Sequence, residues 1–485
     1  MQDIKLLFQP FKAFYKCEKS ISKNEMDFFV ELVIFIEQKY IIFNTLILFM
    51  KNSILTSITA YFLFSFSSVN AQKVFTSDVE NFWIAYDKII QTKDSVLQYK
   101  YLNDDYFSKG TEGLKLIREA RNYSDKDYIH AIHAYPKFLN SIRKNTLKSK
   151  NISKDLKKGI DKLRLIYPEL KPANIYFTIG ALRTGGTYRN GHVLIGSEIA
   201  MTDKNTITDE FPENIRNARR LFFDSEPIND LVLLNIHEYV HTQQKPFVDN
   251  LLSYVIHEGI AEFVSVKAMN VPSAAPAIAY GKKNNEKIRA RFEQEMFNIN
   301  NLYKWLWGDS PNEFGVRDLG YYVGYQMAEN YYNQAVNKKN AIKELIELDY
   351  SNEAVIENYV IKSNYFSKSL NEIQKDYENR RPTVIGIKQF ENFSKNVDPK
   401  TKEITIEFSE SLNGFNTGVD YGELGESAFP KNDIKKRYWS NDNKSWTISV
   451  ELEPNKKYQI MITSNFRSKN NIPLKNYFIE FETSK

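Results

Sequence analysis

Residues 234–245 read LNIHEYVHTQQK and place two histidines, His237 and His241, four positions apart. On a helix, this spacing projects both imidazoles from one face, at a separation that fits a single tetrahedral metal ion. Glu238 lies about 100° round the helix from His237, so its carboxylate can reach a metal-bound water without being a ligand. The chain has only six histidines among 485 residues, and a chance H-E-x-x-H would be roughly a one-in-a-few-hundred event. The motif therefore predicts a catalytic zinc site with Glu238 as the general base.

A catalytic zinc ion takes three protein ligands and keeps its fourth position for water. The next helical run, YVIHEGIAEF, offers Glu258, which follows His241 after enough residues for the first helix to end and the chain to return. Glu262 lies one turn further on the same face and can accept the other N–H of a metal-bound imidazole. We expect Glu258 to be the third ligand and Glu262 to orient one of the two histidines. His257 is the alternative third ligand.

The HEYVH and HEGIAEF stretches together resemble the gluzincin metallopeptidases, whose pattern is H-E-x-x-H followed by E-G-x-A-E/D on the next helix. The HTQQ continuation is similar to poorly characterised bacterial families of predicted zinc-dependent proteases. The resemblance covers the two helices and, loosely, residues 170–345. It implies Zn²⁺ as the cofactor and favours Glu258 over His257. The spacing is slightly shorter than in the best-known gluzincins, which leaves the roles of Glu258 and Glu262 open to exchange. No Gly-x-x-His follows His241, so a three-histidine metzincin site is not supported.

The resemblance also implies an edge strand, upstream of the zinc helix, that aligns the peptide substrate. Residues 191–201, GHVLIGSEIAM, are placed for that role. It further implies a tyrosine or histidine that donates a hydrogen bond to the developing oxyanion. Tyr325 and Tyr322, in the helical run RDLGYYVGYQMAENYY, are the candidates. Gly320 and Gly324 recur four positions apart in the same run and predict close packing on a neighbouring helix.

The remaining histidines are weaker candidates for metal binding. His130 and His133 lie three positions apart in YIHAIHAYP and could bind a metal, but an ordinary helix face is the favoured interpretation. His192 falls within residues 191–201. It is expected to be structural or to face the substrate rather than to bind the metal.

A segment near the amino terminus predicts export. From Met50 the chain reads MKNSILTSITAYFLFSFSSVNAQ, with a positive charge at Lys51, an apolar core over residues 54–66 and small residues at 69–71. This is the pattern of a secretory signal peptide with its cleavage site. The apolar core is too short and too rich in Ser and Thr for a good membrane span. We therefore interpret residues 50–71 as a signal peptide.

A signal peptide lies at the amino terminus of the protein that it exports, so residues 1–49 are not expected in front of one. They are expected not to belong to the protein, with translation beginning at Met50 and the mature chain at Gln72. The alternative is a genuine amino-terminal region with a buried helix around residues 54–66. The single cysteine, Cys17, lies within residues 1–49, so the mature chain would have no disulfide and no thiolate ligand. A net charge of +5 without a basic stripe does not favour nucleic acid as a partner. The product is expected to be bacterial and exported, in the periplasm or outside the cell, without stable membrane insertion after signal cleavage.

The rest of the chain predicts an α+β protein in two parts. Residues 72–380 are mostly helical, with two strand-like runs, NIYFTIGAL and GHVLIGSEIAM, flanked by turns at Gly185-Gly186 and Asn190-Gly191. This part is interpreted as a zincin-like metallopeptidase domain. Residues 381–485 carry short β-branched and aromatic runs between turn residues, which is typical of an all-β sandwich. Within them EITIEFSESLN and KKYQIMITSNFRSKNNIPL resemble bacterial Ig-like domains of the SbsA type, which usually act as spacers or binding appendages.

Two functions are compatible with these patterns. The favoured hypothesis is a secreted zinc metallopeptidase that hydrolyses a peptide or protein substrate with Glu238 as general base. No motif for an amino-terminal amine is evident, which favours an endopeptidase. The alternative is a non-catalytic secreted binding or surface protein on a peptidase-like scaffold. The complete set of candidate ligands and the general base argue against that alternative.

Overall fold

The computed structural model describes residues 72–308 and 312–485, and Gln72–Lys485 belongs to one compact unit. About half of the described residues are helical, and they also form three small sheets, so the predicted α+β class is confirmed. The expected signal peptide and the segment before it lie outside the described residues. Among the helices of the described ranges, none is both long and apolar enough to cross a membrane.

Helices supply most of the described structure, and short 3₁₀ or π-helical turns precede several of them. In chain order they are α1 (Ser77–Ile89), α2 (Ser95–Tyr101), α3 (Glu112–Ala120), α4 (Asp125–Ala134), α5 (Pro136–Thr146), α6 (Ser153–Ile166), α7 (Ser197–Ala200), α8 (Glu213–Asp224), α9 (Leu231–His241), α10 (Leu251–Met269), α11 (Pro276–Glu295), α12 (Leu302–Trp305), α13 (Leu319–Gln334), α14 (Lys338–Ile346), α15 (Glu353–Ser363) and α16 (Leu370–Asn379).

Strands occur as one group among the early helices and a second group after the last helix. In chain order they are β1 (Val74–Phe75), β2 (Ile175–Thr178), β3 (Gly186–Arg189), β4 (His192–Gly196), β5 (Val384–Ile387), β6 (Glu403–Phe408), β7 (Val419–Asp420), β8 (Tyr438–Trp439), β9 (Ser445–Ser449), β10 (Lys457–Ile462) and β11 (Tyr477–Glu482).

The first sheet has the order β1-β2-β4-β3. β1, β2 and β4 run parallel, and β3 runs antiparallel to β4. Asn190 and Gly191, with φ of 51° and 72°, make the two-residue turn between β3 and β4; Asn-Gly is the preferred pair for such a turn. The expectation of a turn at Gly185-Gly186 is wrong in part, because Gly186 is the first residue of β3.

α10 is the central helix of the larger part and is buried along nearly its whole length. Asn250 precedes it, and its side chain accepts a 2.8 Å hydrogen bond from the backbone N–H of Ser253; Asn270, with a φ of +56°, follows its last residue. Both are common helix caps. α13 packs directly on α10, since a Cβ atom on Gly324 would overlap the carbonyl oxygen of Val255. The close packing expected from the glycines of α13 is therefore present.

Residues 381–485 form two small antiparallel sheets, with the orders β5-β6-β9-β8 and β11-β10-β7. Their apolar side chains share a cluster of buried residues that is separate from the cluster of the helical part. The Asn298 side chain of the helical part donates a 2.9 Å hydrogen bond to the backbone carbonyl of Asn471 in this region.

Candidate metal centre

The two histidines of the HEYVH motif and Glu258 come from neighbouring helices. α9 follows a 3₁₀ turn, Pro227–Asp230, and ends at His241. The chain then turns through residues 242–250, where Pro246 is incompatible with continuation of the helix, and returns as α10. α9 and α10 pack side by side, so the last turns of α9 face Glu258.

The ligand atoms of these three side chains, which we call the triad, converge. Nε2 of His237 and Nε2 of His241 lie 3.1 Å apart, and Oε2 of Glu258 lies 3.4 Å from the first and 3.3 Å from the second. All three side chains are buried. Tetrahedral zinc with bonds of about 2.0 Å separates its ligand atoms by about 3.3 Å. The triad therefore has the spacing that one metal ion requires, and it is the group in the described ranges that could hold one.

The second nitrogen of each imidazole is also bonded. Nδ1 of His237 lies 3.0 Å from Oε2 of Glu262, whose other oxygen accepts a hydrogen bond from the Ser273 hydroxyl. Nδ1 of His241 lies 2.6 Å from Oε1 of Gln244, and the Gln244 amide donates to a backbone carbonyl of α10 at 3.0 Å. An acceptor at each Nδ1 fixes the tautomer that presents Nε2 to a metal. Gln244 belongs to the HTQQ stretch, and its role was not predicted.

Burial and charge oppose each other in this cluster. Burial disfavours the charged form of His237, but its hydrogen bonds to Glu258 and Glu262 outweigh burial and raise the pKa of His237 to about 10. Burial also disfavours ionisation of the carboxyls. Nevertheless, the attraction of His241 and the hydrogen bonds to both imidazoles hold the pKa of Glu258 well below its usual range, and the bond to His237 lowers the pKa of Glu262. The ionised carboxylates of Glu258 and Glu262 therefore need a nearby positive charge, which either protonated His237 or a metal ion can supply.

Glu238 lies between the triad and the first residue of β3. A Cβ atom on Gly186 would come within 2.8 Å of Oε1 of Glu238, so glycine at this position lets the strand approach the carboxylate. Burial raises the pKa of Glu238, while His241 and His237 partly offset that rise. A buried carboxylate with a raised pKa beside two candidate ligands is suited to accept and return a proton.

The edge strand at the site is not the one expected from the sequence. Residues 191–201 contain β4 and the short helix α7, and β4 lies between β2 and β3. The prediction that this segment forms the edge is therefore wrong. The edge belongs to β3, which pairs with β4 alone among the described strands. The cause is the tight Asn190-Gly191 turn, which folds β3 back along the outer side of β4.

The two tyrosines expected to stabilise an oxyanion have partners elsewhere. The Tyr322 hydroxyl donates a 2.9 Å hydrogen bond to Oδ1 of Asn285 on α11. The Tyr325 ring packs edge-on against Phe263, with 5.5 Å between the ring centroids. The structure therefore does not bring these two side chains together with the triad. Tyr322 faces α11, and Tyr325 packs against Phe263.

Tyr321 and Tyr188 are two tyrosines that lie against the triad. The Tyr321 ring is 6.0 Å from the ring of His237, and its hydroxyl accepts a 3.1 Å hydrogen bond from Nε1 of Trp307. The Tyr188 ring, on β3, stacks on His241 with 5.0 Å between centroids. Burial raises the pKa of both phenols. Both hydroxyls therefore keep their protons at neutral pH and can act as hydrogen-bond donors.

The other histidines lie outside the triad. His257, the alternative third ligand, stacks on His241 with 4.4 Å between the ring centroids, and burial lowers its pKa well below the usual range. It therefore forms a neutral wall of the site. Nε2 of His133 lies 3.0 Å from a glutamine side-chain oxygen, the His130 ring packs against a tyrosine, and Nε2 of His192 lies 3.8 Å from a carboxylate.

Comparison with known proteins gives no family. No family model matches the sequence, and no curated protein matches it. Among solved structures, the crystal structure of the S-layer protein rSbsC(31-844) matches with a TM-score of 0.17 and 9% identity over 69% of this chain. Domains 1–6 of the surface layer protein SbsC match with a TM-score of 0.15 and 10% identity over 78% of it. This chain covers 46% of the length of each structure, and likenesses this low support no conclusion about fold or function.

Proposed function

We propose that this protein is a secreted zinc-dependent metallopeptidase with a zincin-like catalytic part. The triad carries the proposal, because two imidazole nitrogens and one carboxylate oxygen lie 3.1 to 3.4 Å apart on two neighbouring helices. Two nitrogens and one oxygen with a fourth position left free make up one of the ligand sets of catalytic zinc. Glu262 and Gln244 add support, because each accepts a hydrogen bond from Nδ1 of one imidazole. Histidines that bind a metal through Nε2 commonly have such an acceptor at Nδ1.

The chemistry divides between the ion and the chain. Zinc in the triad would supply Lewis-acid chemistry, polarising a peptide carbonyl and making a water molecule more acidic. Glu238 takes the proton from that water and returns it to the leaving amine. The burial that raises its pKa brings proton uptake closer to neutral pH. Tyr321, which lies beside His237, donates a hydrogen bond to the oxygen on which negative charge develops.

β3 aligns the substrate in this proposal. Its outer edge pairs with no described strand and offers backbone N–H and C=O groups to an extended peptide, although the Gly186 carbonyl already accepts hydrogen bonds from Arg121 and Thr184. Gly186 lies next to the Glu238 carboxylate, so a peptide paired with β3 would pass the general base. Tyr188, stacked on His241, forms the wall between that peptide and the histidines.

The amino-terminal segment supports export, and we propose that the product acts in the periplasm or outside the cell. We further propose that residues 381–485 are an Ig-like sandwich that serves as a spacer or a binding appendage. The two antiparallel sheets that share one cluster of buried side chains support this interpretation.

The test compares the purified full-length protein with its Glu238→Gln and His237→Ala variants. Elemental analysis measures bound metal, and mass spectrometry measures cleavage of a complex peptide library. We expect stoichiometric zinc in the wild type and in Glu238→Gln, a loss of zinc in His237→Ala, and cleavage by the wild type alone. Cleavage by Glu238→Gln would refute the mechanism, and a metal other than zinc would refute the cofactor. Stoichiometric zinc without cleavage of any peptide would favour the non-catalytic alternative.

A further inference from the structure

Arg121 is a cation that reaches the site and has no part in the proposed mechanism. It follows α3 directly as the residue that caps its carboxyl end. Its Nη2 lies 3.4 Å from the carbonyl oxygen of Gly186, the first residue of β3. Because Gly186 also lies against the Glu238 carboxylate, Arg121 reaches the edge strand next to the general base.

The guanidinium of Arg121 is only partly bonded. Among the described residues, its hydrogen bond to Gly186 is long for an N–H···O bond, and its Nε is buried without an acceptor. A buried donor without an acceptor is unfavourable. Because the Nε is buried, a ligand would reach this guanidinium at its Nη groups, of which Nη2 alone has a hydrogen-bond acceptor among the described residues.

The arginines around Arg121 are paired with carboxylates. Arg118 lies 2.5 Å from Asp125, Arg183 lies 2.8 Å from Asp127, and Arg189 lies 3.5 Å from Glu119. Arg121 has no such partner within the described ranges. Arg121 is thus the arginine of this group whose charge is left available to a ligand.

We propose that Arg121 binds a carboxylate of the peptide substrate, so that the enzyme prefers peptides with an anionic group near the segment paired with β3. A guanidinium is the side chain suited to this task, because it can donate two parallel hydrogen bonds to one carboxylate. A free carboxyl terminus and an acidic side chain present the same chemistry. This inference rests on the proposed peptidase function, since it names the substrate class of the same site.

The test measures binding to the metal-free full-length protein, where no metal competes for the carboxylate. The probes are fluorescent peptides of alanine and phenylalanine in three forms: with a free carboxyl terminus, with a carboxyl-terminal amide, and with the amide and one internal glutamate. Fluorescence anisotropy gives Kd for the wild type, Arg121→Gln and Arg121→Lys. Arg164→Gln is the matched control, because it removes the same charge from an exposed ion pair on α6.

We expect the wild type to bind at least one carboxylate peptide about tenfold more tightly than the plain amide. In Arg121→Gln the Kd values of the carboxylate and amide peptides should become equal. In Arg121→Lys the difference should be smaller than in the wild type, and in Arg164→Gln it should be unchanged. The preferred carboxylate peptide shows whether the carboxyl terminus or an acidic side chain is recognised. Equal Kd values for the three wild-type complexes, a ratio that survives Arg121→Gln, or the absence of peptide binding would each overturn the inference.

A purely structural role of Arg121 predicts a different result. If Arg121 only held β3 in place, its replacement would weaken the binding of all three peptides equally, and the ratio of their Kd values would not change. Cleavage by the zinc-loaded protein, measured in parallel, reports separately on the peptidase function. Cleavage without a carboxylate preference would refute the role of Arg121 and keep the peptidase. A carboxylate preference that depends on Arg121, without any cleavage, would support carboxylate binding by Arg121 and refute the peptidase function.

Discussion

Replacing Glu262 tests whether it supports the proposed metal site, because it changes the partner of His237 and leaves the triad unchanged. Oε2 of Glu262 lies 3.0 Å from Nδ1 of His237, and Oε1 accepts a hydrogen bond from the Ser273 hydroxyl. In Glu262→Gln, the side chain keeps its size and one acceptor oxygen but loses its charge. In Glu262→Ala, Nδ1 of His237 loses its acceptor in a buried setting.

The expected magnitude follows from these contacts. Loss of the outer partner of a metal-bound histidine weakens metal binding by about 10- to 100-fold, or about 1.4 to 2.7 kcal/mol. A hydrogen bond to an ionised acceptor is about twice as strong as one between neutral groups. Glu262→Gln, which keeps a neutral acceptor, is therefore expected at the lower end of this range and Glu262→Ala at the upper end. Comparing neutral with alkaline pH separates this effect from competition with the proton on His237, which weakens as pH rises.

The assay is competition for zinc with a chromophoric chelator, which gives Kd for each protein. Glu258→Gln is the comparison that alters a candidate ligand, and thermal unfolding of the metal-free proteins checks that each variant folds. A Kd for Glu262→Ala within about twofold of the wild type would refute the supporting role of Glu262. If instead the Glu262 variants lose zinc completely while Glu258→Gln retains it, the two glutamates have the opposite roles.

Two further substitutions test other parts of the structure. Tyr321→Phe is expected to lower kcat of peptide cleavage by about a hundredfold with unchanged zinc content, because it removes one donor to the oxyanion. Tyr322→Phe should leave kcat unchanged, and equal losses in the two variants would exclude a special role for Tyr321. Burial raises the pKa of Glu198 from 4.5 to about 7, so the folded state holds this proton more tightly than the unfolded state. The free energy of unfolding should therefore fall as pH rises from about 4.5 to about 7, by roughly 3 kcal/mol. Glu198→Gln should remove this fall in urea unfolding, whereas parallel pH curves for the two proteins would contradict the assignment.

The parts of the site that sequence spacing could predict are those determined within one helix. His237 and His241 share a face of α9 because four positions make about one turn, and Glu262 lies one turn beyond Glu258 for the same reason. These relations do not depend on the rest of the fold. The change from helical to alternating patterns likewise indicated the α+β class, which the structure confirms.

β3 could not be recognised in the same way, because its four residues, GTYR, begin with glycine and include an arginine. Thr187 and Tyr188 favour a strand, but the four residues show no alternation of apolar and polar side chains that would mark one. The segment becomes a strand because the Asn190-Gly191 turn pairs it with the buried β4, and the strength of strand preference depends on such pairing. The role proposed for Arg121 could not be predicted from the sequence for a related reason. The sequence contains many arginines, and only the structure shows that Arg121 has no carboxylate partner among the described residues.

The choice among the tyrosines of α13 depends on how two helices meet. α10 and α13 approach so closely that a Cβ atom on Gly259 would overlap the backbone of Gly324. This contact fixes the rotation and the offset of α13 relative to the triad. Because neighbouring residues of a helix point about 100° apart, that rotation turns Tyr321 toward His237 and Tyr322 toward α11. The glycine spacing predicted that a close contact would form, but its partner on α10 comes from tertiary packing. The spacing alone therefore could not determine which tyrosine lies against the triad.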